Sequence, residues 1–135
     1  MALIAPPLAL YLHFPWCVRK CPYCDFNSHT LHGELPQQAY LDALLRDLDA
    51  QLPQVAGRTI VSIFLGGGTP SLFGPAALAE LFAALRTRLS LADDAEITLE
   101  ANPGTIERGR FADYRAAGIN RVSLGAQSFA PPMLE

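Results

Sequence analysis

Residues 17–24 read Cys17-Val18-Arg19-Lys20-Cys21-Pro22-Tyr23-Cys24, and this C-x3-C-x2-C array holds all 3 cysteines of the chain. Three soft thiolates on one tight loop can hold three corners of an iron–sulfur cube, leaving the fourth iron open to a small molecule. A structural zinc is the rival reading, with His29 or His32 as the fourth ligand. Zinc sites, however, usually pair C-x2-C knuckles or join one knuckle to a distant His pair, and the gap from Cys17 to Cys21 is wrong for a knuckle. The odd cysteine count argues against a disulfide framework. The segment before the array, MALIAPPLALYLHF, is apolar but lacks a basic start and a small-residue cleavage site, so it reads as a strand and not as a secretory signal.

Around that array, the composition fits one α/β domain in a reducing, cytoplasmic compartment. The 135 residues are 50% hydrophobic, which is enough to bury a core. A formal charge of −3 gives no basic face for nucleic acid. No apolar run approaches the roughly 20 residues of a membrane span. Small ligands and proteins are the expected partners.

Strand and helix patterns alternate along the chain. Leu8 to His13 reads as a strand; Pro36 to Leu52 follows as a helix, with Tyr40, Leu41, Leu44, Leu45, Leu48 and Leu52 on one stripe. Thr59 to Leu65 is a nearly continuous apolar strand. Pro75 then opens a helix with Leu78, Leu81, Phe82, Leu85 and Leu89 facing inward. Glu96 to Ala101 is the third strand, a helix capped by Thr105 and ended by Gly118 follows, and Arg121 to Ala126 is the fourth strand. Such alternation implies parallel strands joined by right-handed crossovers.

Period-2 alternation sorts these strands into two faces. Leu8, Leu10 and Leu12 oppose Ala9, Tyr11 and His13; Ile97 and Leu99 oppose Glu96, Thr98 and Glu100; Val122, Leu124 and Ala126 oppose Arg121, Ser123, Gly125 and Gln127. If the aliphatic sets meet the helices, the other face is polar, which implies a cavity that holds something. The site belongs at the carboxyl ends of the strands, where His13, Gly66, Glu100 and Gln127 fall. The loop Gly66-Gly67-Gly68-Thr69-Pro70-Ser71 lets backbone approach a ligand closely, although a glycine-rich turn also simply ends a strand. It is neither a Walker A loop nor G-x-G-x-x-G. Glu100, just before Asn102-Pro103-Gly104, could hold an ammonium group or a ribose hydroxyl. His13 could tune the cysteine loop or be satisfied by backbone, and Phe14 and Trp16 are expected to shield it. Arg121 could contact an acidic group in the cavity or sit in water at the strand's start, the latter being favoured.

The C-x3-C-x2-C array after the first strand, GGGTP after the second, the glutamate of E-A-N-P after the third and the run G-I-N-R-V-S-L-G-A-Q-S-F at the fourth resemble the radical S-adenosylmethionine (SAM) superfamily. They are most similar to the branch holding oxygen-independent coproporphyrinogen III oxidase and the heme chaperones. The resemblance implies a partial (β/α) barrel with about four βα units. It implies a 4Fe-4S cluster on Cys17, Cys21 and Cys24, with SAM on the open iron. Tyr11, Gly67, Gly68, Thr69, Glu100 and Gln127 match SAM contacts of the family. The implied chemistry is electron transfer from the cluster to the sulfonium, giving methionine and a 5'-deoxyadenosyl radical, with the protein positioning the cofactors. An oxidoreductase activity, if present, would run through that reductive cleavage and need an electron donor.

The oxidase side of the branch carries a further cysteine two residues past the third, where this chain has Phe26; CPYCDFNSH looks like the heme-chaperone side. The resemblance therefore implies binding of heme and delivery to an acceptor protein, with porphyrinogen oxidation as the alternative. It also extends to later strands and a C-terminal domain, so residues 1–135 are expected to be the N-terminal part of a radical SAM core.

Overall fold

A computed structural model of the chain describes residues 2–103 and 108–134. The elements in order are β1 (Leu8–Phe14), β2 (Trp16–Cys17), β3 (His29–Thr30), α1 (Gln37–Val55), β4 (Thr59–Gly67), α2 (Pro75–Arg88), β5 (Ser90–Ala101), α3 (Arg108–Ala117) and β6 (Arg121–Leu124). Short 3-10 turns cover Pro70–Leu72 and Pro131–Met133. The expected Thr105 cap and Gly104 lie outside the described residues. Gly118 does close α3, in the left-handed region at φ +123°, with its N–H donating to the Arg115 carbonyl.

β1, β4, β5 and β6 form one sheet in the order β1-β4-β5-β6, with every pairing parallel. The register aligns Leu12, Leu65, Leu99 and Val122 in one row, and Leu10, Ile63 and Ile97 in the next. Those rows meet Leu78, Leu81, Phe82 and Leu85 of α2 and Leu41 of α1 in a core whose central side chains are all but sealed from solvent. Burying such aliphatic and aromatic side chains contributes about 1.5–3 kcal/mol each. Tyr114 joins α3 to that core: its buried hydroxyl lies 2.8 Å from the Ser71 carbonyl and 2.7 Å from that of Phe73.

The opposite face carries the other rows: Ala9, Ser62 and Glu96; Tyr11, Phe64, Thr98 and Arg121; then the pairs His13 with Gly66 and Glu100 with Ser123. Tyr11 and Arg121 are exposed there, whereas Thr98 is buried, its hydroxyl accepting from Arg121 Nη1 at 3.3 Å and donating to Glu96 at 3.2 Å.

Several boundaries differ from expectation, and two short strands are added. α1 runs through Pro53 to Val55, past the expected end at Leu52, although the proline removes its own i→i−4 hydrogen bond. β5 begins at Ser90, where Ser90 and Leu91 pair with Thr59 and Ile60 ahead of an irregularity. β6 stops at Leu124 and not Ala126, and Leu124 is 53% exposed at the sheet edge. β2 and β3 are wholly unanticipated; they pair in parallel, Trp16 with His29 and Cys17 with Thr30, and so clasp the cysteine loop at its two ends.

Candidate functional site

The cysteine loop is built by long-range backbone hydrogen bonds. His29 N donates to the Pro15 carbonyl at 2.6 Å and Leu31 N to that of Cys17 at 2.7 Å, closing the loop between them. On the other side, Gly68 N donates to the Phe14 carbonyl and Thr69 N to the Trp16 carbonyl, both at 2.7 Å. The glycine loop is thus docked edge-on to the strand that launches the cysteines. A Cβ on Gly68 would lie 2.6 Å from the Trp16 oxygen, and one on Gly67 would lie 2.7 Å from the His13 ring. Glycine is required there to bring the two loops together, which goes beyond ending a strand.

Cys17, Cys21, Cys24, Gly67, Gly68, Glu100 and Gln127 all line one cavity of about 310 Å³ at the carboxyl ends of the strands. Tyr11 lines an adjoining cavity, which shares Phe26, Gly67 and Glu100 with the first. Thr69 stands apart. It is 3% exposed and lines neither cavity, its hydroxyl accepting from Asn102 Nδ2 at 3.1 Å. Sequence reasoning passed over Arg19, Asp25 and Asn102, which also line the cavity. Arg19 and Asp25 flank the cysteines in sequence, and Asn102 follows Glu100 by two, so adjacency was the available signal.

Glu100 points its Oε2 at the glycine loop and accepts from Gly67 N at 3.2 Å. Burial, and then the nearby Glu100 charge, raise the Tyr11 hydroxyl above its ordinary value. Tyr11 stacks on Phe64, ring centroids 6.3 Å apart at 19°. His13 Nε2 lies 2.7 Å from the Asn27 carbonyl, and a carbonyl only accepts, so this nitrogen carries the proton. In the neutral ring Nδ1 is then an acceptor, and the Tyr11 hydroxyl donates to it at 2.9 Å. His13 therefore ties β1 to the segment that follows the third cysteine. Phe14 is fully buried against Phe73, with centroids 4.7 Å apart, and belongs to the core instead of shielding the cavity.

Three thiols lining one cavity are a donor set that an iron–sulfur cube can use. Among the described residues no three Cys, His, Asp or Glu side chains converge as one metal ion requires. A cube takes one thiolate per iron at separate corners, which matches thiols spread around a cavity wall. His29 and His32 are exposed and line neither cavity. Among the described residues no helix is long and apolar enough to cross a membrane.

Residues 11–135 match the Radical SAM superfamily. The heme chaperone HemW of Escherichia coli strain K12 is 57% identical over 130 residues, covering 96% of this chain and 34% of that protein. HemW of Haemophilus influenzae is 51% identical, over 96% of this chain and 35% of its own length. The chain thus spans about a third of the length of the curated relatives it matches. Among solved structures, coproporphyrinogen III oxidase (HemN) from Escherichia coli, a radical SAM enzyme, superposes with a TM-score of 0.82 at 36% identity, covering 92% of this chain and 29% of that one. The parallel sheet and its helices are accordingly part of a radical SAM (β/α) barrel.

Proposed function

The chain belongs to the radical SAM superfamily, and from that premise we propose that it is the cluster- and SAM-binding portion of a cytoplasmic heme chaperone of the HemW type. The carrying observation is the meeting of Cys17, Cys21 and Cys24 with Gly67, Gly68, Glu100 and Gln127 around one cavity. Cys17, Cys21 and Cys24 would hold three irons of a 4Fe-4S cluster. When bound, a cluster with one iron free of protein ligands supplies a coordination site and an electron to SAM.

The chain's own residues do the rest. The carboxylate of Glu100 faces the cavity and suits an ammonium group, a charge-assisted contact worth about 1.5–3 kcal/mol. Gly67 and Gly68 keep that wall of the cavity free of side chains, and Gln127 offers an amide from the loop after β6. Tyr11 and Phe64 extend an aromatic surface beside Glu100. Thr69 acts from behind the wall, holding Asn102 in position.

Heme transfer is favoured over porphyrinogen oxidation by the 57% identity to a heme chaperone against 36% to the oxidase. Phe26, where the oxidase side carries another cysteine, points the same way. The test is a paired assay on the complete, anaerobically reconstituted protein. Heme binding followed by transfer to a heme-free acceptor protein is expected, without decarboxylation of coproporphyrinogen III. Decarboxylation supported by SAM and an electron donor, with no heme bound, would establish the oxidase instead.

A further inference from the structure

The loop between Cys24 and β3 contains a hydroxyl that the cluster reading leaves unused. Ser28 is 1% exposed, and its Oγ lies 3.8 Å from Cys24 Sγ and 3.5 Å from the Phe26 carbonyl. One hydroxyl proton must choose between these two acceptors. The Phe26 carbonyl is already supplied: Ser28 N donates to it at 2.7 Å and Lys20 Nζ at 3.2 Å. The same Lys20 ammonium donates to the Ser28 carbonyl at 3.0 Å, and so pins the residue between the first two cysteines to the segment behind the third. Ser28 is thereby held at fixed range from the sulfur. A thiolate bound to iron has no proton and can only accept, so the Ser28 hydroxyl turns toward it.

Resting on the proposal that Cys17, Cys21 and Cys24 hold a 4Fe-4S cluster, we infer that Ser28 tunes that cluster, its hydroxyl donating to the Cys24 thiolate and raising the reduction potential. The reduced cluster carries one more negative charge than the oxidised one, so a donor aimed at its sulfur stabilises it more. Ser28 is a positioning residue that acts through Cys24 and touches no substrate. Its burial excludes the water that would otherwise replace the bond when the hydroxyl is removed.

The experiment is a redox titration of the reconstituted protein and its Ser28→Ala variant, read by EPR. At a fixed potential near the midpoint, the variant should hold severalfold less reduced cluster; a tenfold fall in the reduced-to-oxidised ratio corresponds to a 59 mV drop in midpoint. An unchanged or higher midpoint in a variant with full cluster content overturns the inference and leaves the cluster itself standing. Absence of a cluster from the unmutated protein would instead strike the reading beneath it. If Ser28→Ala loses its cluster, deuterium exchange on the unmutated protein decides. An exchangeable deuteron coupled to the cluster in ENDOR of the unmutated protein supports it, and no such coupling refutes it.

Discussion

Replacing Gly68 by alanine tests whether the glycine loop is there to dock against the cysteine loop. The new Cβ would stand 2.6 Å from the Trp16 oxygen, 2.8 Å from its carbonyl carbon and 3.0 Å from its nitrogen, well inside the 3.4 Å at which ordinary contact begins. All three atoms are backbone, so no side chain can swing aside. Relief requires the two loops to part, which strains the 2.7 Å bonds from Gly68 N to Phe14 and from Thr69 N to Trp16. Overpacking costs about 1–3 kcal/mol and a weakened hydrogen bond about 1 more, so a loss of about 2–4 kcal/mol is expected. Gly57→Ala is the control: its φ is +77° and nothing lies within 4 Å, so it carries only the left-handed backbone cost of roughly 1–2 kcal/mol. Urea denaturation of the cluster-free protein, followed by fluorescence of the single tryptophan, Trp16, measures both without interference from ligand binding. A Gly68→Ala variant no less stable than Gly57→Ala would refute the docking argument.

Other substitutions probe the core and the cavity separately. Tyr114→Phe removes the hydroxyl shared by the Ser71 and Phe73 carbonyls and should cost about 1–3 kcal/mol in the same urea experiment, while a change below a few tenths would detach α3 from that bond. Burial, partly offset by the Arg110 charge, raises the Tyr114 hydroxyl above its ordinary value of 10.0, so the folded chain keeps a proton that the unfolded chain releases. That stabilisation is complete below pH 10 and lost as pH rises through the raised value, so the unmutated protein should lose stability above pH 10 more steeply than Tyr114→Phe. Parallel curves would contradict it. Glu100→Gln should keep cluster content but weaken SAM binding about 10- to 100-fold, the loss of one charge-assisted contact. Equal SAM affinity by equilibrium dialysis would remove Glu100 from the site.

The strands with clean two-residue alternation were legible because each buries one face. Leu8 to His13 and Glu96 to Ala101 separate into aliphatic and polar sets that the register keeps apart. The helices were legible for the same reason, Leu78, Leu81, Phe82 and Leu85 being buried at their expected spacing. β2 and β3 were not, since two-residue strands have no periodicity and exist only through partners such as Pro15 and His29, distant in the chain. The start of β5 was hidden because Asp93 and Asp94 interrupt the apolar alternation and sit in an irregular stretch of the ladder. At the site, residue type and rim position located Glu100 and Gln127. They could not reveal that Thr69 faces inward to Asn102, because burial of a short polar side chain depends on which neighbour answers its hydroxyl.

The most direct test of the central claim is EPR of the anaerobically reconstituted, dithionite-reduced protein with and without SAM, using Cys21→Ala as the control. A reduced 4Fe-4S signal that changes on adding SAM and disappears in Cys21→Ala is the expected result. A protein that takes up no cluster and binds stoichiometric zinc instead would contradict the account.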